Sequence, residues 1–503
     1  MRILVWHGWL LGGAGSNVYT ARTVEIWRRQ GHDVLLLCQE RRVEKQGFFD
    51  AHGASDDLDR LEPLTGEPAA GRAILIRPAI GDLLPVFVHD AYEGFRVKRF
   101  VDLSDEELAR YLKANVAAVR AAAEWHRSEV AVVGHAFPGG VVGARALQGI
   151  PYVVKVHGSD IEYAIRSQER YRELTREGLH RAAAVAGASR DVLERLAELV
   201  PHPGGRARVV PPGVESGRFR PAERRASLRW AAEDLATAGD DGRTPAIDEE
   251  VATALRRRDL PALDALANRY DQAAPDAAAP RKLRALADHE GPLVGYLGKL
   301  IPQKGVEHLI AALALVPWAR GVIVGYGTFR EWLEALATAL DHADEDLVRL
   351  LGDRMPLSLT PTEVTGARGL QDRLTFTGRL DHDHAPAVVA ACDVLAVPSV
   401  LDEAFGMVAI EGAAAGALPL VARHSGLAEI AAALEEEAGR PGLFSYAPGP
   451  DPVRNLVAGL GRLFGVPADE RRELALGLAA FAATRWGWQR TADALLASVR
   501  GGS

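Results

Sequence analysis

Cysteine is nearly absent from this sequence. Only Cys38 and Cys392 occur among 503 residues, and each lies in or beside an apolar run. A disulfide framework or a cysteine-ligated metal cluster needs several closely spaced cysteines. The sequence therefore excludes both, and the two thiols are predicted to be small buried hydrophobic side chains.

Excess positive charge and long apolar runs are also missing. The chain has 59 Lys and Arg residues against 67 Asp and Glu residues, a formal net charge of −8, so it has no basic field for a nucleic-acid backbone. No apolar run approaches the ~20 residues of a membrane-spanning helix. The first seven residues are too short and too polar for a signal peptide. We therefore expect a cytoplasmic protein without a nucleic-acid partner or a transmembrane segment; its oligomeric state and any peripheral membrane association stay open.

The stretch 394–416 carries the strongest functional signal. Residues 394–397 form an apolar run that ends at Pro398, which predicts a buried parallel strand followed by a turn and a helix. Ligands of open α/β sheets bind beyond the carboxyl ends of the strands. The first amides of such a helix attract an anion, for example a phosphate. The amides in question belong to Gly406, Met407 and Val408.

Two glutamates bracket this turn. Glu403 lies in the turn and Glu411 in the predicted helix. Eight residues of helix rise about 12 Å, so these carboxylates cannot share a proton or a metal ion. They can hold the two ends of an extended ligand, because carboxylates accept hydrogen bonds from hydroxyl groups. A sugar nucleotide, with a hexose, a diphosphate and a ribose, has this form.

The stretch 394–416, together with the residues that follow it, resembles family-four retaining glycosyltransferases, which have the GT-B fold. The resemblance extends from about 1 to 221 and from 291 to 490, and it implies an α/β protein of two doubly wound, Rossmann-like domains facing each other across a cleft, with helical insertions. Beyond the two glutamates, the residues that match the family pattern are Phe405, Gly406, Gly416, Pro419, Val421, Ala422 and Glu429.

The resemblance assigns roles to the second half of the chain. Lys299 stands where the family has an arginine, which keeps the charge and loses the bidentate fork. Lys304 precedes Gly305 and a predicted helix, as in the family. The resemblance implies that both lysines and the amides of residues 406–408 hold the donor diphosphate. It also implies that Glu403 binds the sugar hydroxyls and that Glu411 binds the ribose.

Polar residues also follow the predicted strands of the first half. His135 and His157 each come after an apolar run and are therefore expected at the carboxyl edge of the sheet. The resemblance places His157 beside the reacting face of the donor sugar and Asp160 with His135 on the acceptor side. Gly12 and Gly13, after the first strand, would let the backbone approach a ligand closely.

An NAD-dependent oxidoreductase is one alternative. The glycine-rich turn resembles a dinucleotide fingerprint, but the third glycine would fall at position 18, which is Val18. Residues 33–36 also offer little for a ribose, although Asp33 keeps the alternative open. A non-catalytic sugar-nucleotide-binding protein on the same fold is the second alternative.

The rest of the chain predicts its organisation. Residues 50–100 contain scattered proline and glycine and are predicted to be irregular. A capping box beginning at Ser104 predicts a helix to about Arg127. A second surface insertion is expected at 341–372. The predicted segments are an acceptor-binding domain at 1–221, a helical insertion at 222–290, a nucleotide-sugar domain at 291–470, and C-terminal helices at 471–503 that cross back to the first domain.

The implied reaction moves a hexose from a nucleoside diphosphate sugar to a hydroxyl acceptor with retention, by front-face attack. UDP is the favoured donor nucleotide and GDP the alternative; the acceptor, a small molecule, a glycan or a lipid-linked sugar, is unidentified. Asp381 and Asp383 could suggest a divalent cation, but their position predicts the cap of a helix over 385–392. We expect no metal or other cofactor, because the two lysines and the helix N-terminus supply positive charge.

Overall fold

Strands and helices alternate through most of the chain. The computed structural model describes residues 1–13, 15–65, 67–88, 92, 94–201, 205–237, 243, 245–269, 275–381 and 383–500. The chain divides into unit 1, Met1–Gly213 with Trp486–Ser503, and unit 2, Val214–Arg485. Each unit is α/β and contains a mainly parallel sheet. The junctions at Gly213 and Arg485 lie 8 and 15 residues from the predicted borders at 221 and 470.

Unit 1 is built on a sheet with the strand order β11-β10-β9-β8-β1-β2-β5-β3-β4. Its apolar runs form buried parallel strands, and in the centre Leu4 pairs with Leu35 on one side and Ala131 on the other. The strands are β1 (Arg2–Trp6), β2 (Asp33–Leu37), β3 (Ala51–Ala54), β4 (Asp57–Pro63), β5 (Arg72–Arg77), β6 (Leu83–Val86), β7 (Arg96–Arg99), β8 (Val130–Gly134), β9 (Tyr152–Lys155), β10 (Ala184–Gly187) and β11 (Ala207–Val209). The helices before the junction are α1 (Gly15–Arg29), α2 (Asp105–His126), α3 (Gly140–Ala146), α4 (Glu169–Arg181) and α5 (Arg190–Leu199).

Two expectations for unit 1 have opposite outcomes. The capping box is confirmed, since Ser104 accepts from the amide of Glu107 and α2 ends at the cap residue Arg127. The prediction that 50–100 is irregular is wrong, because β3 to β7 lie there. These strands are short, and β4 is an exposed edge strand that pairs only with β3. An edge strand with charges on its exposed face lacks the apolar pattern that reveals a buried strand.

Unit 2 contains a parallel sheet with the order β14-β13-β12-β15-β16-β17. The chain moves outward from β12 in one direction and then returns to β15 on its other side, so the topological switch lies between β12 and β15. The strands are β12 (Leu293–Lys299), β13 (Arg320–Tyr326), β14 (Leu374–Gly378), β15 (Val394–Val397), β16 (Leu418–Ala422) and β17 (Ser445–Tyr446). The helices are α6 (Arg224–Thr237), α7 (Pro245–Arg257), α8 (Leu260–Ala267), α9 (Ala279–Ala287), α10 (Val306–Ala314), α11 (Arg330–Asp341), α12 (Glu345–Leu351), α13 (Pro361–Gly366), α14 (Ala385–Ala390), α15 (Met407–Ala415), α16 (Ser425–Ala438), α17 (Pro452–Gly465) and α18 (Ala468–Arg485).

Residues 222–290 form helices α6 to α9 and pack within unit 2. Arg224 ties their start to the sheet by donating to the Ala391 carbonyl at 2.8 Å and to Asp393 at 2.7 Å. Near their end, the amide of Asp276 donates to the Thr377 carbonyl at 2.8 Å. The segment therefore covers the edge beside β14. Residues 341–372 likewise hold α12 and α13, which bury apolar side chains such as Leu351 and Val364.

The C-terminal tail breaks at Trp486 and Gly487 and continues as α19 (Trp488–Val499) in unit 1. Thr491 donates to the Pro211 carbonyl at 2.8 Å, and the Trp27 indole donates to the Ala492 carbonyl at 3.2 Å. Trp488 is buried. Among the described residues, no helix is long and apolar enough to cross a membrane.

Candidate active site

In unit 2, the loops after β12 and β15 form one rigid structure at the topological switch. The amides of Val400 and Leu401 donate to the Gln303 carbonyl at 3.0 and 3.1 Å. Gly305 has a φ of +64°, and a Cβ there would lie 2.1 Å from the Pro398 carbonyl oxygen. Only glycine fits this close approach. Both loops are therefore fixed at the edge where a ligand is expected.

An ion pair joins these two loops. The Lys304 ammonium donates to Oε1 of Glu403, and the Ser399 hydroxyl donates to the same oxygen at 2.7 Å. Burial raises the pKa of Glu403, but the charge and hydrogen bonds of Lys304 and Ser399 outweigh it and hold that pKa below its ordinary value. Glu403 is thus an anion at neutral pH. Lys304, which is predicted to bind the diphosphate, and Glu403, which is predicted to bind the sugar hydroxyls, therefore contact each other directly.

Helix α15 starts immediately after the Glu403 loop. Gly406 precedes its first residue with a φ of +99°, and a Cβ there would lie 2.3 Å from the Leu427 side chain. The first amides of a helix have no intrahelical acceptors and carry the positive end of the helix dipole. Those of Met407 and Val408 therefore make the start of α15 suitable for an anion.

Two more cationic side chains gather around Tyr326 at the ends of β12 and β14. The Lys299 ammonium lies 5.7 Å from the centre of the Tyr326 ring. The Arg379 guanidinium lies 5.2 Å from the same ring. Cations at these distances interact favourably with an aromatic ring. The predicted phosphate-binding Lys299 is therefore held near the same sheet edge as Lys304.

Glu411, in α15, has a different environment from Glu403. Burial and, to a smaller extent, the charge of Glu215 together raise the pKa of Glu411 to about 7. A carboxyl group in this setting is protonated for part of the time at neutral pH. Hydrogen bonds from hydroxyl groups would favour the charged form of this carboxyl group and so lower its pKa.

In unit 1, three histidines cluster at the carboxyl ends of the neighbouring strands β1, β8 and β9. The ring of His135 lies 6.1 Å from that of His7 and 4.5 Å from that of His157, centre to centre. Burial is the main cause that lowers the pKa of all three; that of His7 falls to about 4. His7 and His135 are buried, whereas His157 is partly exposed. His157 is therefore the member of the cluster that a ligand can reach.

Asp160 holds the turn that carries His135. Its Oδ2 accepts from the amide of Ala136 at 2.5 Å, and His135 itself has a φ of +70°. Left-handed backbone in a non-glycine residue is costly and is found preferentially at functional sites. Burial raises the pKa of Asp160 to about 6. Both residues were predicted to face an acceptor, but in this structure both side chains are buried.

The predicted glycine turn is exposed. A Cβ at Gly12 or Gly13 would meet nothing within 4 Å, and Gly13 has a φ of +88°. The Gly12 carbonyl accepts from the Asn17 side chain at 2.6 Å, which fastens the turn to α1. Ala14 lies outside the described residues. The turn therefore offers open backbone beside the histidine cluster.

Comparison with known families decides the assignment. Residues 14–213 match the family described as "Glycosyl transferase 4-like domain", and residues 361–443 match "Glycosyl transferases group 1". The chain belongs to the family-four glycosyltransferases.

Several curated relatives of this family-four glycosyltransferase share about a third of its residues in the aligned parts. The 2-deoxystreptamine glucosyltransferase of Streptomyces kanamyceticus is 30% identical over 27% of this chain and 29% of its own length. A GDP-mannose-dependent phosphatidylinositol monomannoside mannosyltransferase of Mycobacterium tuberculosis is 30% identical over 46% of this chain and 53% of its own. The D-inositol 3-phosphate glycosyltransferase of Salinispora tropica is 27% identical over 96% of this chain and 87% of its own. The first two alignments thus span between about a third and a half of those relatives.

Solved structures show the GT-B fold across the whole length. Sucrose-phosphate synthase from Thermosynechococcus elongatus aligns with a TM-score of 0.58 and 18% identity, over 98% of this chain and 96% of that protein. HepE from Anabaena, solved with UDP and glucose, aligns with a TM-score of 0.59 and 15% identity over 99% of both chains. The predicted fold class is therefore confirmed.

The geometry of unit 1 weighs against dinucleotide binding by this glycosyltransferase. A dinucleotide fold uses an acid at the end of its second strand for the ribose. Asp33 lies at the start of β2. Glu40 follows the end of β2, but its carboxylate accepts from the amides of Leu11, Arg41 and Arg42 at 3.1, 3.0 and 2.9 Å. The acid in the ribose position is already occupied by backbone donors.

Asp381 and Asp383 serve the turn before α14. Asp381 accepts from the amides of Asp383 and His384, both at 3.0 Å, and Asp383 pairs with Arg218 at 3.2 Å. His382 lies outside the described residues. Within the described part of the chain, no group of three or more His, Cys, Asp or Glu residues could hold a metal ion.

Sequence reasoning missed several residues of the site. Ser399 donates to Glu403, and the Gln303 carbonyl accepts from the loop after β15. No sequence pattern marks either residue. His7 was detectable, because it directly follows the first apolar strand. Lys155 was also detectable, since it is a single cation inside the apolar run before His157.

Proposed function

We propose that this glycosyltransferase moves a hexosyl group from a nucleoside diphosphate sugar to a hydroxyl acceptor, with retention at the anomeric carbon. The Lys304–Glu403 ion pair, placed directly before the N-terminus of α15, is the observation that carries this proposal. It brings a cation and the anion-binding start of a helix together with an acid that can accept from sugar hydroxyls.

In this proposal the diphosphate lies at the start of α15. The Lys304 ammonium uses one N–H on Glu403 and has two further donors for phosphate oxygens. Glu403 neutralises one unit of charge, so Lys299 and the helix amides are needed to balance the diphosphate. The second oxygen of Glu403 is available for a sugar hydroxyl, and Glu411 takes the ribose hydroxyls.

The reaction breaks the bond between the anomeric carbon and the diphosphate oxygen and forms one to the acceptor oxygen on the same face. The acceptor proton passes to an oxygen of the departing diphosphate. The protein then contributes position and charge stabilisation of the leaving group. His157, neutral and partly exposed, contacts the donor sugar. No metal ion is needed, because Lys299, Lys304 and the helix amides supply the positive charge.

UDP is the first donor nucleotide to test. HepE binds UDP and glucose, whereas the mycobacterial relative is dependent on GDP-mannose, so GDP is the second. The acceptor is a hydroxyl of a small molecule, a glycan or a lipid-linked sugar.

A thermal-shift screen of UDP-, GDP- and ADP-sugars tests the proposal. A ligand at 100 times its Kd stabilises the folded state by about 2.7 kcal/mol. We expect one nucleotide class to raise the unfolding temperature and the free nucleoside, which lacks the diphosphate, to have little effect. If no nucleotide sugar shifts the transition, the proposed function is wrong.

A further inference from the structure

Lys155 is a buried cation to which the proposed chemistry gives no role. It ends β9, is 2% exposed, and donates to the Val210 carbonyl at 2.9 Å. Burial lowers the pKa of Lys155 to about 7, although Asp160 opposes the shift. Burying an ammonium group costs free energy that one neutral acceptor does not return. Groups with strongly shifted pKa values of this kind cluster at functional sites.

Lys155 contacts His157 through an aromatic ring. The Lys155 ammonium lies 4.8 Å from the centre of the Tyr19 ring, within range of a cation–π interaction. The Tyr19 ring meets His157 edge-on, with 5.5 Å between ring centres. Among the described residues the Tyr19 hydroxyl has no hydrogen-bond partner. Tyr19 contacts Lys155 and His157 through its ring. The three side chains contribute to the lining of a cavity of only about 10 Å³.

We propose that Lys155 is a positioning residue for His157. Its ammonium holds the Tyr19 ring, which fixes the imidazole, and its positive charge keeps the imidazole neutral. A neutral imidazole has one donor and one acceptor nitrogen, whereas an imidazolium can only donate. The proposal rests on the proposed contact between His157 and the donor sugar, and it adds the residue that maintains this contact.

The surrounding charges support this assignment. The titratable groups facing the pair come from α1 (Tyr19) and from the ends of β1, β8 and β9 (His7, His135 and Asp160). Burial lowers the pKa of His157 first, and the charges of His135, Lys155 and His7 lower it further. As the pH falls through 7, Lys155 gains its proton before His157 does and then opposes protonation of the imidazole.

The variant Lys155→Met tests the proposal, because it keeps the length of the side chain and removes its charge. We expect a higher unfolding temperature, since an apolar chain replaces a buried charge. We expect kcat at pH 6, where Lys155 of the wild-type protein is mostly charged, to fall about tenfold, which is less than the roughly 10²-fold that a misplacement of about 1 Å can cost. The acid limb of the kcat/KM profile and the imidazolium signal of His157 in ¹⁵N NMR should both move up by roughly one pH unit.

Lys113→Met is the matched control, because Lys113 is exposed on α2 of the same unit; we expect wild-type values in every measurement. If Lys155→Met loses stability together with activity, Lys155 is a structural residue and the proposal is wrong. It is equally wrong if the acid limb and the NMR titration stay at their wild-type positions. The NMR titration needs no substrate. A shifted titration in a protein that turns over no nucleotide sugar would support the positioning role and contradict the proposed function alone.

Discussion

The charged side chains of the two candidate sites, one in each unit, lie in opposite environments. In unit 2, Lys304 and Glu403 neutralise each other on partly buried loops, and the pKa of the acid stays low. In unit 1, Lys155 and Asp160 are buried among neutral histidines, and burial shifts their pKa values toward neutrality. Paired charges beside a helix N-terminus suit an anionic leaving group. Neutral imidazoles suit hydroxyl groups. In the proposed function, unit 2 therefore stabilises the charge of the leaving group, and unit 1 forms hydrogen bonds through neutral side chains.

Within unit 2, Glu411 departs from this pattern, because burial raises its pKa to about 7, as it does for Glu307. The variants below test whether the contrast between the units governs function.

Removal of the paired cation has the largest expected effect. Lys304→Ala removes a preorganised charge from the leaving diphosphate, which costs about 10²- to 10³-fold in kcat. Steady-state turnover of the donor identified by thermal shift measures it, with Lys113→Ala in unit 1 as the control. Equal, small effects of Lys304→Ala and Lys113→Ala would mean that Lys304 is an ordinary solvated lysine.

Loss of the ribose acid comes next. Glu411→Ala removes a charged acceptor worth about 1.5–3 kcal/mol, so UDP or GDP should bind roughly 10- to 100-fold more weakly. Isothermal titration measures the affinity. His157→Ala, in unit 1, should change nucleotide affinity little, because that side chain is assigned to the sugar. Unchanged nucleotide binding by Glu411→Ala would contradict the ribose role.

The raised pKa of Glu411, about 7, predicts a pH dependence. Ribose hydroxyls donate to the carboxylate, so affinity for a UDP-sugar should rise roughly tenfold between pH 6 and pH 8. Because the folded pKa lies above the unfolded value of about 4.5, Glu411 lowers the free energy of unfolding progressively as pH rises from about 4.5 to about 7, and the loss levels off above 7. Glu411→Gln should remove both dependences. Isothermal titration at three pH values that showed constant wild-type affinity would refute the assignment.

Lys299→Arg should have a small effect. It restores the residue typical of the family and its bidentate fork, so activity should be retained or modestly raised. Lys299→Ala, measured in the same turnover assay, should lower activity because the diphosphate loses a cation. An arginine variant as impaired as the alanine variant would show that the loop requires lysine for something other than phosphate.

Chelation should have no effect. If Lys304, Lys299 and the start of α15 supply the positive charge, turnover should survive EDTA. Activity that EDTA abolishes and Mg²⁺ or Mn²⁺ restores would overturn the metal-free mechanism. Asp381 and Asp383 would then need to be considered again as ligands.

Local patterns in the sequence were sufficient for much of the fold. Apolar runs ending at polar residues located β1, β8, β9, β12 and β15, and therefore placed His135 and His157 at one sheet edge. The exposed edge strand β4 has no such run and was therefore missed. β5 does contain a buried apolar run, at 73–76, but the proline and glycine scattered through 50–100 led to the prediction of irregular structure there. Burial and strand order, which decide those cases, are properties of the folded chain.

The contacts within the site were beyond sequence reasoning. Lys304 and Glu403 are 99 residues apart, and their pairing depends on the adjacency of β12 and β15. The contacts of Lys155, Tyr19 and His157 join the end of β9 to α1. Sequence motifs selected the candidate residues of unit 2, whereas burial in the folded chain singled out Lys155 in unit 1.

Release of nucleoside diphosphate from a nucleotide sugar tests the central claim most directly. Wild-type protein should be incubated with each sugar nucleotide that it binds, without and then with candidate hydroxyl acceptors, and the freed nucleoside diphosphate quantified. We expect slow release without an acceptor and faster release with the correct one, because the paired loops of unit 2 stabilise the leaving group. Tight binding with no release under any of these conditions would contradict the account and identify a sugar-nucleotide-binding protein instead.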